Sequence, residues 1–99
     1  MKYLGFEWDD QNAGKVAGHD LAPRDVEDLF DQGQPVFMRL PGCRDRNIAL
    51  GFTPDGRFVL VVFVYDKEAR WVRVVTAYEA EHERWWQIYI QKAQSKNTR

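Results

Sequence analysis

Residues Phe58–Tyr65 read FVLVVFVY, an unbroken apolar run rich in β-branched and aromatic types. A strand with one wet face alternates apolar and polar side chains. This one does not, so both of its faces must be covered, and it reads as a central strand. Thr53-Pro54-Asp55-Gly56 precedes it, with Pro suited to position i+1 of a type I turn and Gly free to take a left-handed conformation next. Asp66-Lys67-Glu68-Ala69 follows as a short charged loop, then a second strand, Arg70–Tyr78. The pair is predicted to form an antiparallel hairpin. Each buried side chain of the run contributes on the order of 1.5–3 kcal/mol before the ordering entropy is subtracted. Tyr65 is its only titratable group, so any chemistry must come from its surroundings.

The segments before the run punctuate themselves. Lys2–Trp8 carries β-formers and is weakened by Gly5. Asp9 and Asp10 offer N-caps for a short helix over Gln11–Ala17, with Gly18 as its stop. Pro23 suits the first position of a second helix, Pro23–Asp31, in which Val26, Leu29 and Phe30 make a buried stripe and Gly33 ends the element. Gln34–Leu40 and Arg46–Thr53 are strands joined by a turn over Pro41–Asp45. In the second of these, Ala49, Gly51 and Thr53 leave room for something large to approach one face. After the hairpin, Thr76 and Glu79 have capping-box spacing, so the last helix is expected to start near Ala77, with His82, Trp85, Trp86, Tyr89, Ile90 and Ala93 on its apolar side. Ser95–Arg99 is expected to be a frayed polar tail. The order β-α-α-β-β-β-β-α implies an α+β domain spanning residues 1–99. Its sheet of four to five strands is expected to be mainly antiparallel, with helices on the N-terminal side and one at the C-terminus.

Composition narrows the function. No apolar run is long enough for a membrane span. Met-Lys-Tyr-Leu-Gly-Phe leads straight into Glu7 and Asp9, so no signal peptide is expected. A lone cysteine, Cys43, excludes an internal disulfide, suits a reducing compartment and favours a cytoplasmic location. The net charge of −1 gives no bulk case for nucleic-acid binding, but its distribution is uneven. Residues 1–34 hold three Lys/Arg against eight Asp/Glu, whereas residues 35–75 hold seven against four. That asymmetry fits either two faces with different partners or plain surface solvation.

There is no CxxC, no HExxH and no Gly-rich phosphate loop, and two histidines and one cysteine far apart make a poor metal site. No cofactor is expected. What remains is cations, aromatics and the histidines. If Val72 and Val74 face the core, Trp71 and Arg73 face outward beside Arg39 and Asn47 of neighbouring strands, a surface able to hold single-stranded nucleic acid by stacking and phosphate pairing. On pattern alone, a solvated sheet face with favourable cross-strand pairs is the simpler account. His19, between two helices, has the chemistry of a general acid or base near pH 7, although turn histidines more often cap or pack. His82, beside Glu83 and Arg84, reads as helix surface.

Taken in order, these residues resemble a known family. Phe6-Glu7-Trp8-Asp9 resembles the FEWD opening of the BrnT family, small toxins of bacterial type II toxin–antitoxin modules with a compact RelE-like fold. His19 and Phe30 stand at the family's spacing. Arg46-Asn47-Ile48-Ala49-Leu50-Gly51, then Asp55-Gly56-Arg57, then Leu60-Val61-Val62 are similar to its central strands. Arg73-Val74-Val75-Thr76-Ala77 with Ala80, Glu83-Arg84 and Tyr89 are similar to its C-terminal part. Asp20 stands where the family has Gly, and Tyr78 where it has Arg.

The resemblance implies a metal-independent endoribonuclease that inhibits translation, on the ribosome or off it. A ribbon-helix-helix antitoxin of the BrnA type would neutralise it, and operator DNA would be bound only through that complex. It implies Arg46, Arg73 and Arg84 on the phosphate, His19 as the leading acid/base with Glu83 in reserve, and Tyr78 as a hydrogen-bond donor. On the parity reading of the sheet face, not on the resemblance, Arg39, Asn47 and Trp71 would contact RNA. Two alternatives stay open: a catalytically degenerate toxin-like module that binds antitoxin and operator, and a small interaction protein anchored by an exposed Trp85-Trp86 pair.

Overall fold

In the computed structural model, which describes residues 2–97, the elements in chain order are β1 (Gly5–Glu7), α1 (Asp10–Ala17), α2 (Pro23–Gln32), β2 (Val36–Arg39), β3 (Asn47–Phe52), β4 (Phe58–Asp66), β5 (Trp71–Glu79) and α3 (His82–Asn97). The strands form one five-stranded sheet in the order β1-β5-β4-β3-β2. The apolar run is therefore its middle strand. The β2–β3, β3–β4 and β4–β5 pairings are antiparallel and β1–β5 is parallel, so the sheet is mixed and the fold is α+β.

Both faces of β4 are covered from Phe58 to Phe63, as the composition of the run requires. Val59, Val61 and Phe63 join Val16 of α1, Val26, Leu29 and Phe30 of α2, and Val72 and Val74 of β5 in one core. Phe58, Leu60 and Val62 join Val36, Ile48, Leu50 and Tyr89 of α3 in the other. The small residues of β3 admit α2. A Cβ on Gly51 would lie 3.1 Å from a Leu29 methyl and 2.9 Å from the Gly33 carbonyl oxygen. Gly33 itself closes on β3, where a Cβ would fall 2.2 Å from the Phe52 carbonyl oxygen, and its own carbonyl accepts the Phe52 N–H at 3.0 Å.

Local signals explain the ends of the elements. Asp9 caps α1 by accepting the Asn12 N–H at 3.0 Å, and the Asn12 side chain accepts the Asp9 N–H at 2.8 Å in return. The Asp25 carboxylate accepts the Ala22 N–H at 2.9 Å at the start of α2. In the Thr53–Gly56 turn the Gly56 N–H reaches the Thr53 carbonyl at 2.9 Å, and Gly56 has φ +89. Arg57 then ties this turn to α2, pairing with Asp55 at 3.0 Å and Asp25 at 3.7 Å and donating to the Asp20 carbonyl at 2.7 Å.

Three expectations are corrected. The last helix starts at His82, not near Ala77. Thr76–Glu79 pair with Val59–Val62, because the apolar first half of β4 needs a partner strand and that requirement outweighs a local capping pattern. Ser95–Asn97 continue α3 instead of fraying, while Thr98 and Arg99 lie outside the described residues. Trp85 and Trp86 are half-buried, with Trp86 meeting Phe58 edge-on at 5.4 Å, so they are not an exposed pair. Among the described residues, no helix is long and apolar enough to cross a membrane.

Candidate functional site

α3 covers only part of its face of the sheet. Its Tyr89 ring packs edge-on to Phe52 and Phe58, both at 5.5 Å, and its hydroxyl donates to the Gln34 carbonyl at 2.8 Å. The opposite end of the same face stays accessible. There Val64 pairs with Arg73, and Trp71, 43% exposed, lies over Gly5. The register also settles parity. Arg46 precedes Asn47, which pairs with Phe63, so Arg46 shares the Ile48 face with Val64 and Arg73. A bulge between Val62 and Phe63 leaves Val75 without a partner residue on β4 and keeps Val74 and Ala77 in the α1–α2 core.

β1 ends at Glu7, opposite Arg73, and α1 takes over along the free edge of β5. Asn12, only 2% exposed, secures this junction, its amide donating to the Glu7 carbonyl at 2.9 Å and the Val74 carbonyl at 3.0 Å. Both carbonyls would otherwise be orphaned where the ladder stops. Beside the junction is a cleft of about 170 Å³ whose lining includes Lys15, Arg46 and Arg73. Arg73 is committed there, 2.8 Å from Asp9 and 3.8 Å from Glu7. The Asn12 N–H and then the Arg73 guanidinium hold the Asp9 carboxyl below its usual range, and Asp9 in turn raises Arg73. Among the described residues the side chains of Lys15 and Arg46 have no carboxylate partner.

A second cluster lies further along β5. The His19 ring sits 5.7 Å from the exposed Tyr78 ring. Tyr78 also borders a groove of about 380 Å³ with Ile48, Leu60 and Val62 on its floor and Glu79, Glu81 and Arg84 around it. Arg84 lies over the Trp85 ring at 5.3 Å. Glu83 lines a separate depression with His82. At about 3.3 Å per residue, Tyr78 and Arg73 are roughly 15 Å apart along the strand, and they line different clefts.

The predicted site residues thus fall into groups. Arg46 and Arg73 come together, as do His19, Tyr78 and Arg84, and the two groups lie at different positions along β5. Trp71 is on the Arg73 side. Arg39 and Asn47 are not beside Trp71 and Arg73, contrary to the sequence reading. They pair with each other, and Asn47 pairs with Phe63, which puts them on the α2 face. That parity depends on cross-strand register, which alternation within one strand does not carry. Lys15 and Asn12 escaped sequence reasoning. The Asp-x-x-Asn capping spacing was available for Asn12, but nothing local marks its reach to Val74. No protein-family model matches the chain, and no curated protein matches it.

Proposed function

We propose that the chain is a metal-independent endoribonuclease of the toxin type, BrnT-like and RelE-like in fold, which binds RNA across the open end of the α3 face. The observation that carries this reading is the cleft in which Lys15 and Arg46, both without carboxylate partners among the described residues, flank Arg73. Cations that no internal acid neutralises remain available to phosphates. His19 against Tyr78 supplies the acid–base pair, with Arg84 across the adjoining groove. Asp20 adds support, because it takes φ +64 at the position where the family has a glycine.

In this scheme the strand lies along β5. Arg46, Lys15 and Arg73 hold one phosphate while the scissile one sits near Tyr78 and Arg84. His19 takes the proton of the 2′-hydroxyl, whose oxygen attacks the adjacent phosphorus. The bond from phosphorus to the 5′-oxygen breaks, and Tyr78 or the protonated imidazole returns a proton to that oxygen. The products are a cyclic phosphate and a free 5′-hydroxyl. A ribbon-helix-helix antitoxin over this face would block it, and operator DNA would be reached through that complex.

The test is incubation of purified protein with cellular RNA in EDTA and, separately, with intact ribosomes in magnesium buffer. Cleavage that leaves cyclic phosphate ends and disappears in His19→Ala is the expected result. Intact RNA in both settings, from protein of native stability, overturns the reading. It would favour a second one, a toxin-like module that binds an antitoxin without cutting. The engagement of Arg73 by Asp9 and Glu7, and Tyr78 in the place of the family's arginine, are the observations behind that alternative.

A further inference from the structure

The other face of the sheet carries its own cation-lined cleft, of about 400 Å³, at the corner beyond α2. Phe37, Phe63 and Tyr65 provide its aromatic lining. Phe63 is buried and meets Phe37 edge-on at 6.0 Å, and Phe30 backs both rings at 5.2 Å and 5.6 Å. The Tyr65 hydroxyl donates to the Lys2 carbonyl, which fixes that ring from the far end. Phe37 and Tyr65 are nonetheless partly accessible. Around the rings stand Arg39, Arg44 and Lys67, against a single acid among the described lining residues, Asp45. Arg39 donates to the Arg44 carbonyl and so holds the β2–β3 loop at the rim. The side chains of Arg44 and Lys67 make no hydrogen bond or ion pair with described residues. The Asn47 amide, also in the lining, offers a donor and an acceptor.

We propose that this cleft binds one nucleotide unit, its base stacked on Phe37 and Tyr65 and its phosphate held by Arg39, Arg44 and Lys67. A simple anion would use the cations and leave the rings unused, and an apolar ligand would strand the cations. A planar aromatic base joined to a phosphate uses both, and the volume is within the usual range for small-ligand sites. A free mononucleotide and one nucleotide of a single strand present the same chemistry. The cleft is distinct from the one around Arg46 and Arg73, because Arg39 and Asn47 point to the opposite face of the sheet.

The test uses the full chain and three probes: adenosine monophosphate, inorganic phosphate, and a fluorescein-labelled single-stranded DNA oligomer. The DNA lacks a 2′-hydroxyl, so the readout is binding alone and does not depend on ribonuclease activity. The expected result is binding of the monophosphate or the oligomer well above that of inorganic phosphate, with backbone amide shifts at Phe37, Asn47 and Tyr65. Preference between those two probes identifies the source of the nucleotide. Lys67→Ala should weaken binding roughly fivefold, the upper end for an exposed ion pair. Phe37→Leu, which keeps most of the packing, should weaken it by about tenfold through lost stacking. No binding, inorganic phosphate binding as tightly as the nucleotide, or shifts confined to Lys15, Arg46 and Arg73 would each overturn the proposal.

Discussion

The replacement Asn12→Asp keeps the shape of the side chain and removes the two amide N–H donors, leaving at most the one O–H donor of a protonated carboxyl. Asn12 is 2% exposed, and its amide nitrogen lies 2.9 Å from the Glu7 carbonyl oxygen and 3.0 Å from that of Val74. An ionised Asp would set a carboxylate oxygen against two carbonyl oxygens in a dry site. It would instead stay protonated. Holding a carboxyl neutral at pH 7, when its ordinary pKa is about 3.9, costs at most about 4 kcal/mol. The protonated acid keeps one donor where the amide had two, a further loss of about 1 kcal/mol. The expected total is about 3–5 kcal/mol at pH 7. For a domain of this size that lowers the melting temperature by at least roughly 12 °C.

The sign with pH follows by linkage. The folded-state pKa of the introduced acid is raised, so the deficit grows as pH rises from about 4 and shrinks as pH falls toward it. The assay is thermal unfolding followed by circular dichroism at pH 4 and pH 7, always as the difference from the wild type. Asn12→Ala is the control, because it removes the donors without adding a titratable group, and its deficit should not vary with pH. A variant Asp within 2 °C of the wild type at pH 7, or a gap equal at both pH values, would refute the bridging role of Asn12 between β1, α1 and β5.

Three further outcomes are expected. Arg46→Ala should leave the melting temperature unchanged, since its side chain bonds to nothing described, yet weaken single-stranded RNA binding and reduce the slope of log K against log salt by about 1; electrophoretic titration at several salt concentrations measures it. Gly33→Ala should destabilise the chain by about 1–3 kcal/mol, because its Cβ would lie 2.2 Å from the Phe52 carbonyl oxygen and α2 would have to lift from β3; urea unfolding reads it directly. The Asp55 carboxyl is depressed by the Thr53 hydroxyl and then by Arg57, and Asp9 by the Asn12 N–H and then by Arg73. Stability from both groups is present above the ordinary carboxylate pKa and is lost as pH falls through their lowered values, so Asp55→Asn should flatten the acid limb of the stability–pH curve below about pH 4.

What could be read from the sequence was whatever one segment decides for itself. The unbroken run in β4 required two covered faces, the spacing of Val26, Leu29 and Phe30 fixed the buried side of α2, and the small residues of β3 announced an approaching neighbour that proves to be Leu29. What escaped depends on two or more segments at once. The Thr76–Glu79 spacing promised a helix start, but pairing with Val59–Val62 claimed those residues for β5. The bulge at Val75 and the β3–β4 register decide which residues share a face, and together they divide Arg39 and Asn47 from Arg73. In the sequence Arg57 merely follows the Thr53–Gly56 turn, yet it joins that turn to Asp25 and to the Asp20 carbonyl.

The charge asymmetry shows the same dependence on the fold. The uneven charge fitted either two faces with different partners or plain solvation, and much of the acidic charge of the first third is engaged by other groups of the chain. Glu7 and Asp9 hold Arg73, Asp25 holds the Ala22 N–H and Arg57, Glu27 accepts the Trp8 indole N–H at 2.8 Å, and Asp28 lies 3.9 Å from Arg24. The pairs with Arg73 and Arg57 fasten β1, α1 and α2 to the sheet, the Trp8–Glu27 bond ties α2 to the end of β1, and Asp28–Arg24 lies within α2, so fewer acids are free than the sequence count implies. The basic middle of the chain is consumed less. Arg57 and Arg73 are paired, while the side chains of Arg44, Arg46 and Lys67 have no carboxylate partner among the described residues. A net charge of −1 therefore understates the cationic surface the protein offers, and the unpaired cations lie in clefts on both faces of the sheet. Polyanion binding should accordingly be stronger than net charge predicts and fall steeply with salt.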